Sequence, residues 1–332
     1  MSAPTPGTAA WLDLVTEPVV DPDVPIVDPH HHLWPDGEGM EYGVAELEAD
    51  LGSGHNVVDT VFVECGAAYQ RSDDVLAPVA ETRFVAAAAA QSSRQVMGGI
   101  VAHADLRSAR LDEVIDAHLE VADGRLRGIR HSGAHALHPE ILRIPGRAPL
   151  ELYQDPAFVR GVRALGDRGL TYDTWNYHYQ VQEFTALARD APDTLMVLDH
   201  FGTPLGVGPY ASQREHIFEQ WKTDIAEAAT CENVVAKLGG LAMPDNGFGW
   251  DTAAEPPTSD DFVAAQARYY EHTIEAFGPH RCMFESNFPV DRLSLSYRTL
   301  WNGFKKLVAD YSPDERDAML RGTAAHVYRL DV

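Results

Sequence analysis

Three things are scarce in this chain. Its 332 residues include only three cysteines, Cys65, Cys231 and Cys282. They are odd in number and far apart, which excludes a disulfide framework and any paired-cysteine metal or redox motif. Reduced thiols in a cytoplasmic protein are the simplest account. Basic residues are also few: 26 Lys and Arg stand against 50 Asp and Glu, for a formal net charge of −24. That balance argues against a nucleic-acid backbone as partner, although a site inside an acidic protein can still be locally basic. Long apolar runs are missing as well. The stretch from Ala86 to Ala90 is too short to span a bilayer, and Met1 to Ala10 has neither the basic nor the apolar region of a secretory signal. The expected partner is therefore a small molecule, with no membrane and no nucleic acid. Assembly into a homo-oligomer is compatible with all of this.

What is present reads as a soluble globular protein, with 45% hydrophobic and 23% charged residues. One theme recurs: a short β-branched run, a polar hinge, then an amphipathic helical stretch. Strands are predicted at about 26–31, 58–64, 98–103, 126–131, 169–175, 194–200, 233–239 and 281–287. Helices are predicted over 73–91, 111–122, 156–168, 181–189, 214–230, 261–277 and 295–309, with start signals such as Asp155-Pro156 and Ser312-Pro313-Asp314-Glu315. Eight strands alternating with helices imply parallel βαβ units. The expected fold class is α/β, a single-domain (β/α)8 TIM barrel over 25–332, preceded by a leader over 1–24 that packs on its outside. One hinge departs from the theme. The loop over 239–261, after strand 7, is long and rich in Gly, Pro and aromatics, and its Phe248 and Trp250 point to a lid.

The chain is organised around Pro25-Ile-Val-Asp-Pro-His-His-His-Leu-Trp34, an apolar run that ends in three histidines. On a strand, Asp28, His30 and His32 would share one face and His31 the other. Paired imidazoles aimed at one point suit a metal ion or a carbonyl oxygen, and Asp28 would be placed to orient one of them. In a parallel barrel the active site forms where the strands end, and polar groups collect there: His30 and His32, Glu64, His103 and Asp105, Arg130 and His131, Asp173, Trp175 and His178, Asp199 and His200, Lys237, and then Glu285, Asn287 and Asp291. His200 follows the apolar Leu195-Met-Val-Leu198 and is a candidate third imidazole. Arg130 and Lys237 are cations in apolar strands, so each needs an anion. That anion is either internal, such as Glu64 or Glu285, or belongs to a substrate. Trp34, Trp175, Tyr177, Phe288 and Trp301 are candidates to wall a cleft.

With these residues in hand, the sequence resembles the amidohydrolase superfamily, in the branch that includes 2-pyrone-4,6-dicarboxylate lactonase and sugar-acid lactonases. The matching stretches are Ile26-Val-Asp-Pro-His-His-His-Leu-Trp34, Gly128-Ile-Arg-His131, Val197-Leu-Asp-His-Phe-Gly202, Asn233-Val-Val-Ala-Lys-Leu-Gly-Gly240 and Arg281-Cys-Met-Phe-Glu-Ser-Asn-Phe-Pro-Val290. The resemblance implies His30, His32 and His200 in the active site and Arg130 as a substrate anchor. Some relatives hold a divalent metal with these histidines and others work without one, so one zinc or manganese ion, or none, is expected on His30, His32 and His200.

The resemblance breaks at Asn287, where relatives typically carry an aspartate that serves as general base. An amide cannot take that proton. Glu285, and after it Asp291, are the expected replacements, with Glu64 and His178 as further candidates. The expected substrate-side residues are Arg130, His131, Trp175, His178, Lys237 and Glu64. The expected activity is hydrolysis of a lactone or related carboxyl ester. A decarboxylase or C–C lyase acting on a small aromatic or enol acid is the alternative, and a barrel that binds a small molecule without turnover is a third reading.

Overall fold

The structure is a computed structural model and describes residues 4–69, 74–94 and 96–332. Eight parallel strands follow chain order around one sheet: β1 Pro25–His31, β2 Asn56–Val63, β3 Gly99–Ala102, β4 Leu126–Arg130, β5 Thr171–Trp175, β6 Met196–Asp199, β7 Val234–Leu238 and β8 Cys282–Phe284. β8 meets β1 through a parallel bridge between His31 and Phe288, with the His32 N–H donating to the Phe288 carbonyl at 2.8 Å and the Asn287 N–H to the His30 carbonyl at 2.9 Å. This is the expected single-domain (β/α)8 barrel.

The helices are α1 Ala9–Leu12, α2 Val44–Leu51, α3 Val79–Gln91, α4 Leu111–Val121, α5 Pro156–Asp167, α6 Val181–Asp190, α7 Arg214–Ala228, α8 Ser259–Phe277, α9 Tyr297–Leu307, α10 Pro313–Asp317 and α11 Thr323–Val327. Local chemistry sets several of their starts. Asp155 caps α5 with Pro156 at its first position, Thr258 and Asp261 form a reciprocal capping box on α8, and Ser312 with Glu315 does the same on α10. α1, α2 and α11 were not anticipated. Asp73, the expected first residue of the first predicted helix, lies outside the described residues, and α3 begins at Val79. Among the described residues, no helix is long and apolar enough to cross a membrane.

The barrel interior is layered. Its lower end is apolar, with Val27, Val61, Val63, Val101, Val197, Val235 and Met283 packed against Ala324, Val327, Tyr328 and Leu330 from the C-terminal stretch. Above them lies a sealed ionic layer in which Lys237 Nζ stands 3.1 Å from Asp173 Oδ2 and 3.2 Å from Asp199 Oδ1. The Tyr328 hydroxyl donates to the same Asp173 oxygen at 2.5 Å. Buried charges of this kind are tolerated because they are paired. The imidazoles form the layer at the strand ends. The leader runs over the outside, where Trp11 is fully buried and donates from Nε1 to the Ala253 carbonyl at 3.2 Å. Glu17 accepts from the N–H of Ser259 and from Asn302.

Candidate active site

β1 carries the first two imidazoles. A register shift between Asp28 and His31 breaks the simple alternation. His31 turns outward, where its Nε2 meets Thr60 Oγ1 at 2.9 Å and its ring edges onto Phe62. His30 and His32 lie side by side, ring centroids 4.9 Å apart. Asp28 does not orient either ring, contrary to expectation. Its carboxylate accepts from the Ser286 N–H at 2.9 Å and from the Tyr297 hydroxyl of α9 at 3.0 Å, because the irregularity in β1 interrupts the parity that would have set it beside His30.

β6 delivers His200, whose ring centroid is 4.6 Å from that of His30. His200 and Phe201 both take left-handed backbone angles, φ 55° and 57°, and Asn287 does so at φ 54°. Strained non-glycine residues of this kind concentrate at functional sites. The neighbouring Gly240 leaves the space that His200 needs, since a Cβ there would stand 2.4 Å from His200 Nδ1.

Glu285, just past β8, lies between the two imidazoles. One of its oxygens is 2.5 Å from His30 Nδ1 and the other 2.6 Å from His200 Nδ1. All three side chains are buried. Among the described residues, they are the group of histidine, cysteine and acidic side chains whose donor atoms all fall within 4.8 Å of one another. His30 Nδ1 and Glu285 Oε2 are both buried and, despite their proximity, lack a well-directed hydrogen bond. Two imidazoles and a carboxylate are the donor set of a zinc-type site, so the residues present fit a divalent ion. The expected trio of His30, His32 and His200 is thus replaced, as the compact donor set, by His30, His200 and Glu285.

Burial, and next the charge of Lys237, pushes the His30 pKa well below its ordinary value. Burial and then Arg130 do the same to His32. His32 donates from Nδ1 to the Val63 carbonyl at 2.8 Å. A carbonyl only accepts, so the lone pair of this neutral ring is on Nε2.

Arg130 is committed to protein groups. Its Nε donates to Glu64 Oε1 at 2.9 Å and its Nη2 to the Glu64 carbonyl. Its Nη1 lies 3.5 Å from Asp199 Oδ2 and 3.4 Å from His30 Nε2. Asp199 therefore ties Arg130 to Lys237. Burial alone would raise the Asp199 pKa, but Lys237 and Arg130 outweigh it and hold the carboxylate below its usual range.

Part of this cluster lines a cleft of about 820 Å³ at the C-terminal end of the strands, with His30, Asp199 and Glu285 buried behind the lining. Of the expected substrate-side residues, Glu64, Arg130, His131 and Trp175 line it, and so do His32, His200 and Asn287. His131 accepts the Leu106 N–H at Nδ1, 3.2 Å, and burial, then His103, pushes its pKa down to about 4; the neutral ring therefore carries its proton on Nε2.

Lys237 and His178 do not line the cleft. Lys237 is sealed in the ionic layer, because its partners are Asp173 and Asp199 rather than Glu64, Glu285 or a substrate. His178 accepts the Leu205 N–H at Nδ1, 3.3 Å, and packs on Tyr179 and Tyr210. Asp291 lies behind Asn287, whose Nδ2 donates to its Oδ1 at 2.9 Å, and burial pushes its pKa up to about 7. Trp34 joins the cleft wall, but Tyr177, Phe288 and Trp301 are buried in the packing around it.

The loop over 239–261 is not the cleft wall that its composition promised. Phe248 and Trp250 stack on each other and extend to Phe262, and Met243 alone of this loop lines the cleft. The loop over 131–155, after β4, supplies six consecutive lining residues, Ile144 to Pro149. Sequence reasoning passed over it and over its Arg147. Its one signal was the Pro145-Gly-Arg-Ala-Pro149 stretch, whose prolines and glycine mark a stiff, closely packed turn.

A family model described as amidohydrolase matches residues 27–330. The chain belongs to the amidohydrolase family. This amidohydrolase is 32% identical over 329 residues to an uncharacterised protein of Sinorhizobium fredii, the match covering 93% of the chain and 99% of the relative. It is 28% identical over 256 residues to the L-fucono-1,5-lactonase of Burkholderia multivorans, covering 75% of the chain and 77% of that enzyme. Among solved structures it resembles an amidohydrolase from Burkholderia multivorans with bound zinc, at 25% identity and a TM-score of 0.72 over 92% of this chain and 99% of the other.

Proposed function

We propose that this amidohydrolase hydrolyses a lactone or related carboxyl ester, with one divalent ion, zinc or manganese, held by His30, His200 and Glu285. The observation that carries the reading is the placement of the Glu285 carboxylate, 2.5 Å from His30 Nδ1 and 2.6 Å from His200 Nδ1, buried beside His200, which lines the cleft. The lactonase and the zinc-bound amidohydrolase among its relatives support it. An ion bound there supplies Lewis acidity, polarising a carbonyl oxygen and lowering the pKa of water.

The chain's own residues do the rest. Glu285 gives up the water-activating role expected of it, because its carboxylate lies between His30 and His200 as part of the donor set for the ion. His32 takes that role: its Nε2 lone pair receives the proton of the attacking water and returns it to the departing alkoxide. His131, with its proton on Nε2, donates to an oxygen of the bound substrate. Burial keeps His30 and His32 neutral, helped by the charge of Lys237 at His30 and of Arg130 at His32, and Arg130 ties the site together through Glu64 and Asp199. Asn287 commits its Nδ2 to Asp291, which leaves Oδ1 as its open acceptor.

The test is acid release from sugar-acid 1,5-lactones by purified, zinc-loaded protein. Glu285→Gln is expected to lower the rate about 100-fold or more, and His32→Asn to lower kcat with KM nearly unchanged. Full activity in a Glu285→Gln/Asp291→Asn double variant would remove both carboxylates from the account. The non-hydrolytic alternative needs no base, and the amide at Asn287 favours it to that extent; carbon dioxide evolved from aromatic acids with no lactone hydrolysis would select it.

A further inference from the structure

Three arginines line the cleft, Arg107, Arg130 and Arg147, against two acidic residues, Glu64 and Asp105. Arg130 is spent on Glu64, Asp199 and His30. Arg107 is spent on Asp105, with both Nε and Nη2 at 3.0 Å from its oxygens. Arg147 is exposed, and among the described residues its guanidinium has no hydrogen bond or carboxylate partner. In a chain of net charge −24, the cleft therefore keeps one uncompensated positive fork at its mouth.

The loop that carries Arg147 is braced on every side. Both oxygens of Asp245 accept backbone N–H groups from it, Arg143 at 2.7 Å and Ile144 at 3.0 Å. The Gly146 N–H donates to the Tyr177 hydroxyl at 2.7 Å, and His135 Nδ1 donates to the Ala148 carbonyl at 2.8 Å. The residues on both sides of Arg147 are thus pinned. Gly146 is required there, because a Cβ would stand 2.4 Å from both Cβ and O of Ala134. With its backbone held, Arg147 has only its own side chain to order when its planar fork receives a planar anion.

We propose that Arg147 is a specificity-determining anion subsite, and that the substrate is a lactone bearing a carboxylate. The inference rests on the hydrolase reading for the reacting centre. The ester carbonyl sits on the imidazole floor while the carboxylate is received by Arg147 at the mouth.

The test uses full-length protein and a matched pair, galactono-1,4-lactone and galactaro-1,4-lactone, which differ only in a hydroxymethyl or a carboxylate at C6. Wild type is expected to favour the carboxylated lactone. Arg147→Gln should lower kcat/KM on that lactone about 10- to 100-fold, through KM, with less than about threefold change on the neutral one. Arg147→Lys should restore part of the loss, and Arg160→Gln, an exposed arginine of α5 outside the cleft, should match wild type. Calorimetric binding of the diacid galactarate gives a readout independent of turnover and should weaken by a similar factor in Arg147→Gln alone. No hydrolysis of either lactone, with galactarate binding still dependent on Arg147, would sink the hydrolase reading and leave the anion subsite standing. Equal selectivity in wild type and Arg147→Gln, or equal galactarate binding by the two, would overturn the subsite itself.

Discussion

Two loops of this barrel invite comparison. The one after β7 has the composition of a lid, and its aromatic side chains pack away from the cleft, Phe248 stacked with Trp250 and under the guanidinium of Arg214 at 4.6 Å. The one after β4 has an unremarkable composition and walls the cleft with Ile144 to Pro149. Aromatic content reports how much surface a loop has to bury, not which way it buries it. Direction is set by which backbone groups are held: Asp245, on the β7 loop, holds the β4 loop in place through Arg143 and Ile144. The first loop is a buttress and the second is the wall.

The comparison breaks most readily at Asp245. Asp245→Ala removes two charge-assisted bonds to backbone N–H groups and should cost about 3 kcal/mol in urea unfolding, while raising KM about 10-fold as the wall shifts. A stability loss with unchanged KM would mean that the wall does not depend on the buttress.

The next effect is in the pH dependence of the segment behind the wall. Burial pushes the pKa of His178 down to about 4 from 6.5. The unfolded chain then takes up a proton that the folded one refuses, so the contribution of His178 is intact above pH 6.5 and is lost as pH falls towards 4. At pH 5 the loss approaches about 2 kcal/mol. His178→Gln should flatten the acid limb of a stability–pH curve by that amount, and an unchanged limb would show that His178 protonates without penalty.

The smallest effect is expected in the buttress. Phe248→Ala should lower stability by about 1 kcal/mol through the lost stack and cation–π contact and leave KM alone. A large change in KM would restore the β7 loop as a lid.

The fold was legible because parallel strands buried on both faces read as short apolar runs with polar ends. Seven of the eight strand predictions fall within about two residues of the observed bounds, while β8 ends at Phe284 because the chain leaves the sheet to place Glu285 between two imidazoles. α2 was missed because Val44-Ala-Glu-Leu-Glu-Ala-Asp-Leu51 is barely two turns inside a βα connection. At the site, His30, His32 and His200 stood out as polar ends of apolar strands. The roles of their neighbours did not, because those roles depend on partners that a linear pattern cannot supply. Lys237 looks free for Glu64, Glu285 or a substrate anion until Asp173 and Asp199 close around it, and Glu285 looks like a free base until its carboxylate is found between two imidazoles. Arg147 carried no strand signal at all. Its significance is that, among the described residues, its guanidinium has no hydrogen bond or carboxylate partner while the other two arginines of the cleft have theirs.

The most direct test of the reaction centre is a calorimetric zinc titration of metal-stripped wild type and Glu285→Gln. One site per chain in wild type, weakened at least about 10-fold in Glu285→Gln, is the predicted result. Zinc bound equally by both proteins, or not bound by wild type, would contradict a centre built on His30, His200 and Glu285.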